Sequence, residues 1–311
     1  MLRRIIIIVI ILVLIVAVYF LIIGQNKQAT SNNESQTQEK QTNVSATDPV
    51  LVGTGDITSC SSTHDEETAK LIENIPGTVF TAGDNAYPNG STEDFNNCYS
   101  PSWGQFKDRT MPALGNHDYN TKGAAAYFAY FGASADDPAK GYYSYDLGQW
   151  HIIVINSNCS EIGGCQAGSL QLQWLQSDLA SHQTDCTLAY MHHPLFNTGF
   201  HGNTDELKTI WQTLYDAGAD VVVAGHDHNY QRFSPLDPNG KKDLNRGIRE
   251  FVVGTGGGSL YEFFKPATNI EARNDDTYGV LKLTLHPTSY DWEFIPVAGK
   301  TFTDSGTDNC H

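Results

Sequence analysis

Short apolar blocks separated by Gly, Pro and polar residues run through most of the chain and predict an α/β fold. Apolar runs of four to six residues bounded by turn residues predict buried strands, and apolar residues three and four positions apart predict amphipathic helices. The predicted strands are 50–53, 78–81, 111–114, 142–146, 151–156, 188–191, 221–224, 251–253, 280–285 and 290–294, and the predicted helices are 66–75, 169–179 and 203–217. Alternating strands and helices are typical of one α/β domain, which we place at residues 49–311.

The third predicted helix has the clearest end signals. Asn203 stands at the N-cap position with Glu206 in the capping-box position, and Gly218 follows the last apolar turn. These residues satisfy the free backbone groups at the two ends of a helix. We therefore expect a helix over 203–217.

Several predicted strands end in Gly followed by Asp, Asn or His. These ends are Gly55-Asp56, Gly83-Asp84, Gly115-Asn116-His117 and Gly225-His226-Asp227-His228, and strand 188–191 runs into His192-His193. The carboxyl ends of strands in an α/β sheet meet at one edge, where such proteins build their sites. The pattern therefore predicts one polar cluster made from segments far apart in sequence.

The first residues of the chain follow a different pattern. Arg3 and Arg4 precede an unbroken apolar run over 5–23, which is long enough to span a bilayer. We predict a membrane anchor over 1–24 with the remainder of the chain outside the cytoplasm, because positive charge stays inside. A cleaved signal peptide, which would release a secreted form, is the alternative, but the run is long and no small-x-small cleavage site follows it. Residues 25–48 are rich in Gln, Asn, Ser and Thr and predict a flexible stalk.

The net charge of the chain limits the partners that it can bind. The net charge of −16 argues against nucleic acid and against an anionic membrane surface as partners, since both require a basic footprint. An acidic protein also repels phosphorylated substrates unless its site carries concentrated positive charge. Bound metal ions would supply that charge.

Six cysteines follow the predicted anchor, at positions 60, 98, 159, 165, 186 and 310. An even number in an oxidising compartment predicts up to three disulfides. Cys159 and Cys165 flank Gly163-Gly164 and can close a local loop, but the sequence alone does not choose among the pairings.

Seven side chains at or beside the strand ends have the chemistry of ligands for Fe, Zn or Mn. They are Asp56, Asp84, Tyr87, Asn116, His192, His226 and His228. Singly, each has an ordinary explanation as a turn, cap or packing residue. Together they exceed what one tetrahedral zinc requires and suit two neighbouring metals, which can clamp the attacking and leaving oxygens of a phosphoryl transfer.

The ordered motifs GD (55–56), GDNAY (83–87), GNHD (115–118), YMHHP (190–194) and GHDH (225–228) resemble the calcineurin-like metallophosphoesterase superfamily. Most members begin with Asp-x-His, whereas this chain has Asp56-Ile57-Thr58. Tyr87, three residues after Asp84, instead matches the GDxxY motif of purple acid phosphatases. The departure therefore favours that branch.

The resemblance implies a four-layer α/β/β/α sandwich with mixed sheets and a dimetal site at the strand carboxyl ends. It implies that Asp56, Tyr87 and His228 hold the first metal and that Asn116, His192 and His226 hold the second. Asp84 would bridge the two. Phenolate favours Fe(III) at the first position, with Zn, Mn or Fe(II) at the second.

Two further histidines are predicted to act on a small phosphorylated substrate. His117 would face the phosphate, and His201 matches a loop His of purple acid phosphatases and would protonate the leaving group. The expected reaction is hydrolysis of phosphomonoesters by a metal-bound hydroxide, without a phosphoenzyme. We expect His193 to lie on the opposite side of a strand from the site, as a structural residue or one that supports a ligand. We expect Asp118 and Asp227 to orient ligand histidines and not to bind metal.

Two other functions are compatible with the same residues. One is a phosphodiesterase or nucleotide pyrophosphatase, and the other is a non-enzymatic cell-surface module with structural metals. The Gly254–Ser259 run lacks the Lys of a phosphate-binding loop and is predicted to be a flexible turn near the site.

Overall fold

The computed structural model describes residues 48–263, 266 and 268–311. The predicted anchor and nearly all of the predicted stalk lie outside these residues. Within the described part of the chain, no helix has the length and apolar character needed to cross a bilayer.

The described residues contain fifteen strands and five α-helices, together with one π-helix and several 3₁₀ turns. The strands are β1 Val50–Thr54, β2 Thr58–Ser59, β3 Thr78–Ala82, β4 Ala86–Tyr87, β5 Thr110–Ala113, β6 Tyr143–Leu147, β7 Trp150–Val154, β8 Cys186–Tyr190, β9 Val221–Ala224, β10 Tyr230–Phe233, β11 Arg249–Val253, β12 Ile270–Asn274, β13 Gly279–Leu285, β14 Ser289–Pro296 and β15 Asp304–Asn309. The α-helices are α1 His64–Glu73, α2 Thr92–Asp94, α3 Ala125–Phe131, α4 Leu170–Ser181 and α5 Lys208–Asp216. The π-helix Phe95–Tyr99 continues α2, and the 3₁₀ turns are Trp103–Arg109, Asp118–Asn120, Lys122–Ala124, Gly132–Ala135, Cys159–Glu161 and Asp205–Leu207.

Two large mixed sheets organise the molecule. One has the strand order β15-β14-β13-β1-β3-β5, and the other has the order β12-β10-β11-β9-β8-β7-β6. Strands β1, β3 and β5 run parallel to one another, and so do β7, β8, β9 and β11. The carboxyl ends of the parallel strands in each sheet therefore share one edge. Strands β2 and β4 form a small separate pair.

Three apolar clusters separate the layers. The first lies between the two sheets and combines Phe80 and Leu281 of one sheet with Leu188 and Val223 of the other. The second covers the outer face of the seven-stranded sheet with residues of α4 and α5, and the third covers the outer face of the six-stranded sheet with α1 and α3. Helices outside two packed sheets make a four-layer α/β/β/α sandwich, which confirms the predicted fold class.

The ten predicted strands and the first two predicted helices occur within a few residues of their expected bounds, but the helix predicted over 203–217 is shorter. A 3₁₀ turn at Asp205–Leu207 precedes α5, which begins at Lys208. The predicted capping role of Asn203 is wrong, because its Oδ1 accepts a hydrogen bond from the backbone of Asn197, at 2.9 Å. The side chain is used to close the preceding loop instead.

Five of the strands were not predicted: β2 and β4 are only two residues long, and the other three are polar in composition. β15 reads Asp-Ser-Gly-Thr-Asp-Asn and lies at the edge of its sheet, paired with β14 from Ser289↔Asn309 to Phe294↔Asp304. Its alternating half-buried and exposed positions carry no apolar signal. β10 and β12 are missing from the prediction for the same reason, since each carries charged or amide side chains.

Three disulfides join the six cysteines. They connect Cys60 with Cys98, Cys159 with Cys165, and Cys186 with Cys310. The second confirms the predicted local loop, and the other two connect segments that the sequence could not pair.

Candidate metal centre

The candidate ligands converge from both sheets. Asp56, Asp84 and Asn116 follow β1, β3 and β5 of the six-stranded sheet, whereas His192, His226 and His228 follow β8 and β9 of the other. Three of these residues have a positive φ, namely Asp56 at 58°, Asp84 at 49° and His226 at 70°. Non-glycine residues rarely adopt this conformation, and such strain concentrates at functional sites. The fold therefore bends the chain sharply where each strand delivers its side chain.

A first group of side chains surrounds the Tyr87 hydroxyl. This oxygen lies 2.8 Å from Asp56 Oδ1, 2.9 Å from Asp84 Oδ2 and 2.9 Å from His228 Nε2. His228 Nε2 also lies 3.2 Å from Asp56 Oδ1. Four ligand atoms thus meet within the reach of one cation.

A second group surrounds His192 Nε2. This nitrogen lies 3.0 Å from Asn116 Oδ1, 3.2 Å from His226 Nδ1 and 3.4 Å from Asp84 Oδ2. The same Asp84 oxygen therefore takes part in both groups. All seven predicted ligands are brought together, and they divide between the two groups in the way that the resemblance implies.

Backbone contacts orient these ligands from outside. His192 Nδ1 lies 2.8 Å from the carbonyl of Ala82, and His228 Nδ1 lies 2.7 Å from the carbonyl of Ser259. A ring that donates its Nδ1–H to a carbonyl presents the Nε2 lone pair on the other side. The amides of His226 and His117 donate to the outer oxygens of Asp56 and Asp84, each at 2.8 Å. The other oxygen of each carboxylate is left for the centre.

The electrostatics of the cluster favour added positive charge. Burial, followed by the charges of Asp56 and Asp84, raises the pKa of Tyr87 well above its usual value. Burial lowers the pKa of His192, but the Asp84 carboxylate outweighs it and raises that pKa to about 9. Tyr87 and His192 thus keep their protons, whereas burial and the charge of His192 lower the pKa of His226. Two carboxylates, a phenol, an amide oxygen and three imidazoles are donors that fit two metal cations replacing those protons.

The two predicted substrate histidines lie at the margin of the centre and are partly exposed. His117 Nε2 lies 4.0 Å from Asp84 Oδ2, and its Nδ1 lies 2.7 Å from the carbonyl of Pro88. His201 Nδ1 lies 3.3 Å from Asp227 Oδ1, and its ring centre lies 4.2 Å from that of His226. Both rings are held on one nitrogen, so each has its second nitrogen available for a ligand in the cleft.

The position expected for His193 is wrong, but its expected supporting role agrees with the structure, because its ring packs against a ligand and belongs to neither group. Its ring lies on the same side as the centre, 4.3 Å from the ring of His226, and its Nδ1 lies 2.9 Å from Ser157 Oγ. Strand β8 ends at Tyr190, so the alternation of a strand no longer decides where His193 points.

The expectations for Asp118 and Asp227 are also corrected. Asp118 accepts hydrogen bonds from the backbone of Gly115 and from the Asn85 side chain, both at 2.9 Å, and so shapes the loops rather than a histidine. Asp227 bonds to His201, which is a predicted substrate residue and not a ligand.

The Gly254–Ser259 run is more than the turn that we expected. It packs against the centre, and a Cβ on Gly258 would stand 2.9 Å from His228 Cε1. Glycine is therefore required by close approach. Tyr261, which the sequence analysis did not identify, stacks on His228 with ring centres 4.1 Å apart. Its position two residues after the closely packed glycine run was the one available signal.

Known proteins share the sequence pattern that builds this geometry. The calcineurin-like phosphoesterase family matches residues 49–230. Purple acid phosphatase 21 of Arabidopsis thaliana is 30% identical over 153 residues, which cover 46% of this chain and 34% of that protein. The chain therefore spans about a third of the length of this relative.

Two solved structures share the fold. A purple acid phosphatase from yellow lupin seeds, PPD1, superposes with a TM-score of 0.66 at 22% identity, covering 84% of this chain and 53% of that one. GAP50, the anchor in the inner membrane complex of Plasmodium, superposes with a TM-score of 0.67 at 14% identity, covering 85% and 90%.

Proposed function

The chain belongs to the calcineurin-like phosphoesterase family, in its purple acid phosphatase-like branch, and on that premise we propose that it hydrolyses phosphate esters, above all phosphomonoesters, with two metal ions. The observation that carries the proposal is the position of Asp84 Oδ2, 2.9 Å from Tyr87 in one ligand group and 3.4 Å from His192 in the other. A carboxylate shared in this way is what two neighbouring metals require.

Each group would hold one ion. Asp56, Tyr87 and His228 would hold the first, which we propose is Fe(III), because a phenolate suits a hard trivalent cation. Asn116, His192 and His226 would hold a second ion, namely Zn, Mn or Fe(II), and Asp84 would contact both. When bound, the two ions would neutralise charge on the phosphoryl oxygens and activate a water as nucleophile.

The remaining roles fall to the two histidines. His117 donates its Nδ1–H to the Pro88 carbonyl and, as the doubly protonated imidazolium, would also donate a hydrogen bond from Nε2 to a phosphoryl oxygen. His201, held by Asp227, would donate a proton to the oxygen of the leaving alcohol. No Ser, Cys or Asp side chain is assigned as a nucleophile, so water attacks phosphorus directly.

The test is hydrolysis of p-nitrophenyl phosphate by the full chain, loaded with Fe plus Zn or Mn and assayed across pH. Turnover that a chelator removes and the metals restore is the expected result. Hydrolysis of bis(p-nitrophenyl) phosphate without the monoester would replace the monoesterase assignment by a diesterase. No turnover on either substrate by the folded, metal-loaded protein would contradict the proposed function.

We also propose that residues 1–24 anchor the chain in a membrane with the catalytic domain outside the cytoplasm. The apolar run over 5–23 and the three disulfides support this arrangement. The anchored chain should stay in the membrane pellet after alkaline carbonate washing, and protease added to intact cells should digest residues 49–311. Release into the medium would instead indicate cleavage of the N-terminal segment.

A further inference from the structure

A cavity of about 810 Å³ opens from the candidate metal centre. Tyr87, His117 and His228 line its inner end, and Tyr278 together with the segment 59–64 lines its outer part. A phosphate group fills only a small part of such a volume. The remaining space, which we call the outer groove, is where the alcohol part of a phosphate ester would lie. His201 does not line it but lies next to its Tyr261 wall, with ring centres 5.6 Å apart, so the leaving oxygen at the inner end would lie between the groove and His201.

The wall of the outer groove is fixed to the centre. Strand β2 pairs with β4 so that Ser59 lies opposite Tyr87. The next residue, Cys60, forms a disulfide with Cys98. Because Tyr87 belongs to the first ligand group, the segment 59–64 has a defined distance from the reacting phosphate. The outer groove therefore has a defined position relative to the metal centre.

Hydroxyl groups and aromatic rings provide its chemistry. The Ser59 and Ser61 hydroxyls lie 2.8 Å apart on the rim. The Tyr278 ring stacks on His64 with ring centres 4.0 Å apart, so His64, which had no assigned role in the sequence, belongs to this wall. Hydroxyls and phenols exchange hydrogen bonds with alcohol groups, and aromatic faces pack against flat or C–H-rich rings.

Formal charge is missing from the same wall. Among the described residues that line the cavity, none is Lys, Arg, Asp or Glu. A second phosphate on the substrate would therefore meet no Lys or Arg side chain from the described wall. The carboxylate of Glu67 lies behind the wall, 3.1 Å from His64 Nδ1, so that ring already engages it. The lining also has no run of aliphatic side chains that would favour an acyl chain.

From these features we infer that the outer groove recognises a neutral, ring-shaped, polyhydroxylated leaving alcohol, so that the substrate is a nucleoside monophosphate or a sugar monophosphate. The inference rests on the proposed function, because the phosphate would occupy the metal centre. A nucleoside and a sugar share the hydroxylated ring that the wall fits, and the experiment distinguishes the two.

The kinetic test compares kcat/KM for adenosine 5′-monophosphate, glucose 6-phosphate, phosphoethanolamine and acetyl phosphate. The acetyl group is too short to extend along the groove, so acetyl phosphate reports on the centre alone. We expect one or both ring-bearing substrates to exceed phosphoethanolamine about tenfold or more, a factor that a few hydrogen bonds and one ring contact supply. The preferred substrate identifies the nucleoside or the sugar as the source.

The matched variants are Tyr278→Ala and Tyr278→Phe. The first should lower kcat/KM about tenfold for the preferred substrate and much less for acetyl phosphate, whereas the second keeps the ring and most of the activity. Tyr215→Ala is the control, because Tyr215 lies on α5 and hydrogen-bonds to Asp243 away from the groove.

A binding measurement separates this inference from the proposed function. Saturation-transfer NMR with adenosine or glucose needs no phosphate and no metal, and the expected signal disappears in Tyr278→Ala. A kcat/KM for phosphoethanolamine equal to or above that of both ring-bearing substrates, or equal losses on acetyl phosphate and the ring-bearing substrate in Tyr278→Ala, would overturn the inference while leaving the phosphatase intact. No hydrolysis of any of the four would overturn the proposed function; absence of the NMR signal as well would overturn the inference, whereas a signal lost in Tyr278→Ala would retain the groove as a ring-binding surface.

Discussion

At the scale of single residues, one oxygen atom connects the two ligand groups. Asp84 Oδ2 lies within 3.4 Å of both Tyr87 and His192. Burial raises the pKa of Asp84, but His192 and His117 together bring it below its ordinary value. The carboxylate is therefore ionised at neutral pH and ready to receive cations. Removing it should disturb both groups at once, whereas removing a ligand from one group should disturb one.

We predict that Asp84→Ala loses both metals and all measurable turnover, while Asn116→Ala loses one metal. The measurement is metal content per chain by mass spectrometry, beside activity on p-nitrophenyl phosphate. Asp291→Ala is the control, since Asp291 hydrogen-bonds to His286 far from the strand carboxyl ends. An inactive Asp84→Ala protein that retains two metals would refute the shared role.

His201 lies at the margin of the centre and outside both ligand groups, so its predicted role is in proton transfer. We predict that His201→Gln lowers kcat for phenyl phosphate by roughly 10²–10⁴-fold, because phenolate leaves poorly without a proton. The loss should be much smaller for p-nitrophenyl phosphate, whose leaving group needs little protonation. Steady-state kinetics on both substrates checks this, with His182→Gln as the control. Equal losses on the two substrates would show that His201 binds phosphate and does not donate the proton.

At the scale of elements, a buried histidine connects α4 to the β6–β7 pair. His151 Nε2 lies 2.7 Å from Asp178 Oδ2 on α4, and its Nδ1 lies 2.9 Å from Asp146 Oδ1 on β6. The ring of His182 stacks on it with ring centres 4.2 Å apart. Burial lowers the pKa of His151, but the hydrogen bonds to Asp178 and Asp146 outweigh it and raise the pKa above its usual value. Folding therefore favours the protonated ring.

The protonated His151 and its two carboxylate partners make the free energy of unfolding depend on pH in a defined direction. The contribution of His151 is complete below its unfolded pKa of about 6.5 and is lost as pH rises through the higher folded value. We predict that His151→Gln destabilises the protein more at about pH 5.5 than at about pH 8.5 in urea unfolding. Ser144→Ala removes another hydrogen bond to Asp178 without removing a group that titrates in this window, so its effect should not change with pH. A pH-independent difference for His151→Gln would contradict the prediction.

At the scale of the whole molecule, the site exists only where the two sheets pack together. The six-stranded sheet contributes the acidic and amide ligands after β1, β3 and β5, and the seven-stranded sheet contributes the histidines after β8 and β9. The net charge of −16 gives the surroundings a negative field, so the cations concentrated at this junction would decide whether a phosphate can approach. Assembly of the site therefore depends more on contacts between segments that are distant in sequence than on local contacts.

The disulfides offer a direct test of that difference. Cys186 and Cys310 are 124 residues apart and connect β8 to the segment after β15, whereas Cys159 and Cys165 are 6 residues apart. Loop-closure entropy predicts a loss of about 5 kcal/mol for removing the long connection and about 2 kcal/mol for the short one. Paired Cys→Ala variants compared by urea unfolding measure both. Equal losses would show that the reduced chain retains structure that makes the two loops equivalent.

The amino-acid sequence by itself determined the seven candidate ligands and the strands that carry them. Both are local signals: a buried strand needs a short apolar run, and a sharp turn at its end places Gly next to a polar side chain. The alternation of these strands with helices also predicted one α/β domain, and the resemblance of the ordered motifs implied its four layers. Asp56, Asp84 and His226 stand where that reasoning placed them.

The tertiary structure alone decided the two long-range disulfides, Cys60–Cys98 and Cys186–Cys310, the side of the site on which His193 lies, and the outer groove with Tyr261 and Tyr278. Each depends on segments that are distant in sequence and meet only when the sheets pack. The polar edge strand β15 belongs with them, because its partner β14 supplies the pairing that its own residues do not signal. Local sequence patterns indicate which residues must be buried, whereas the contacts between distant segments are set by how the whole chain packs around its core.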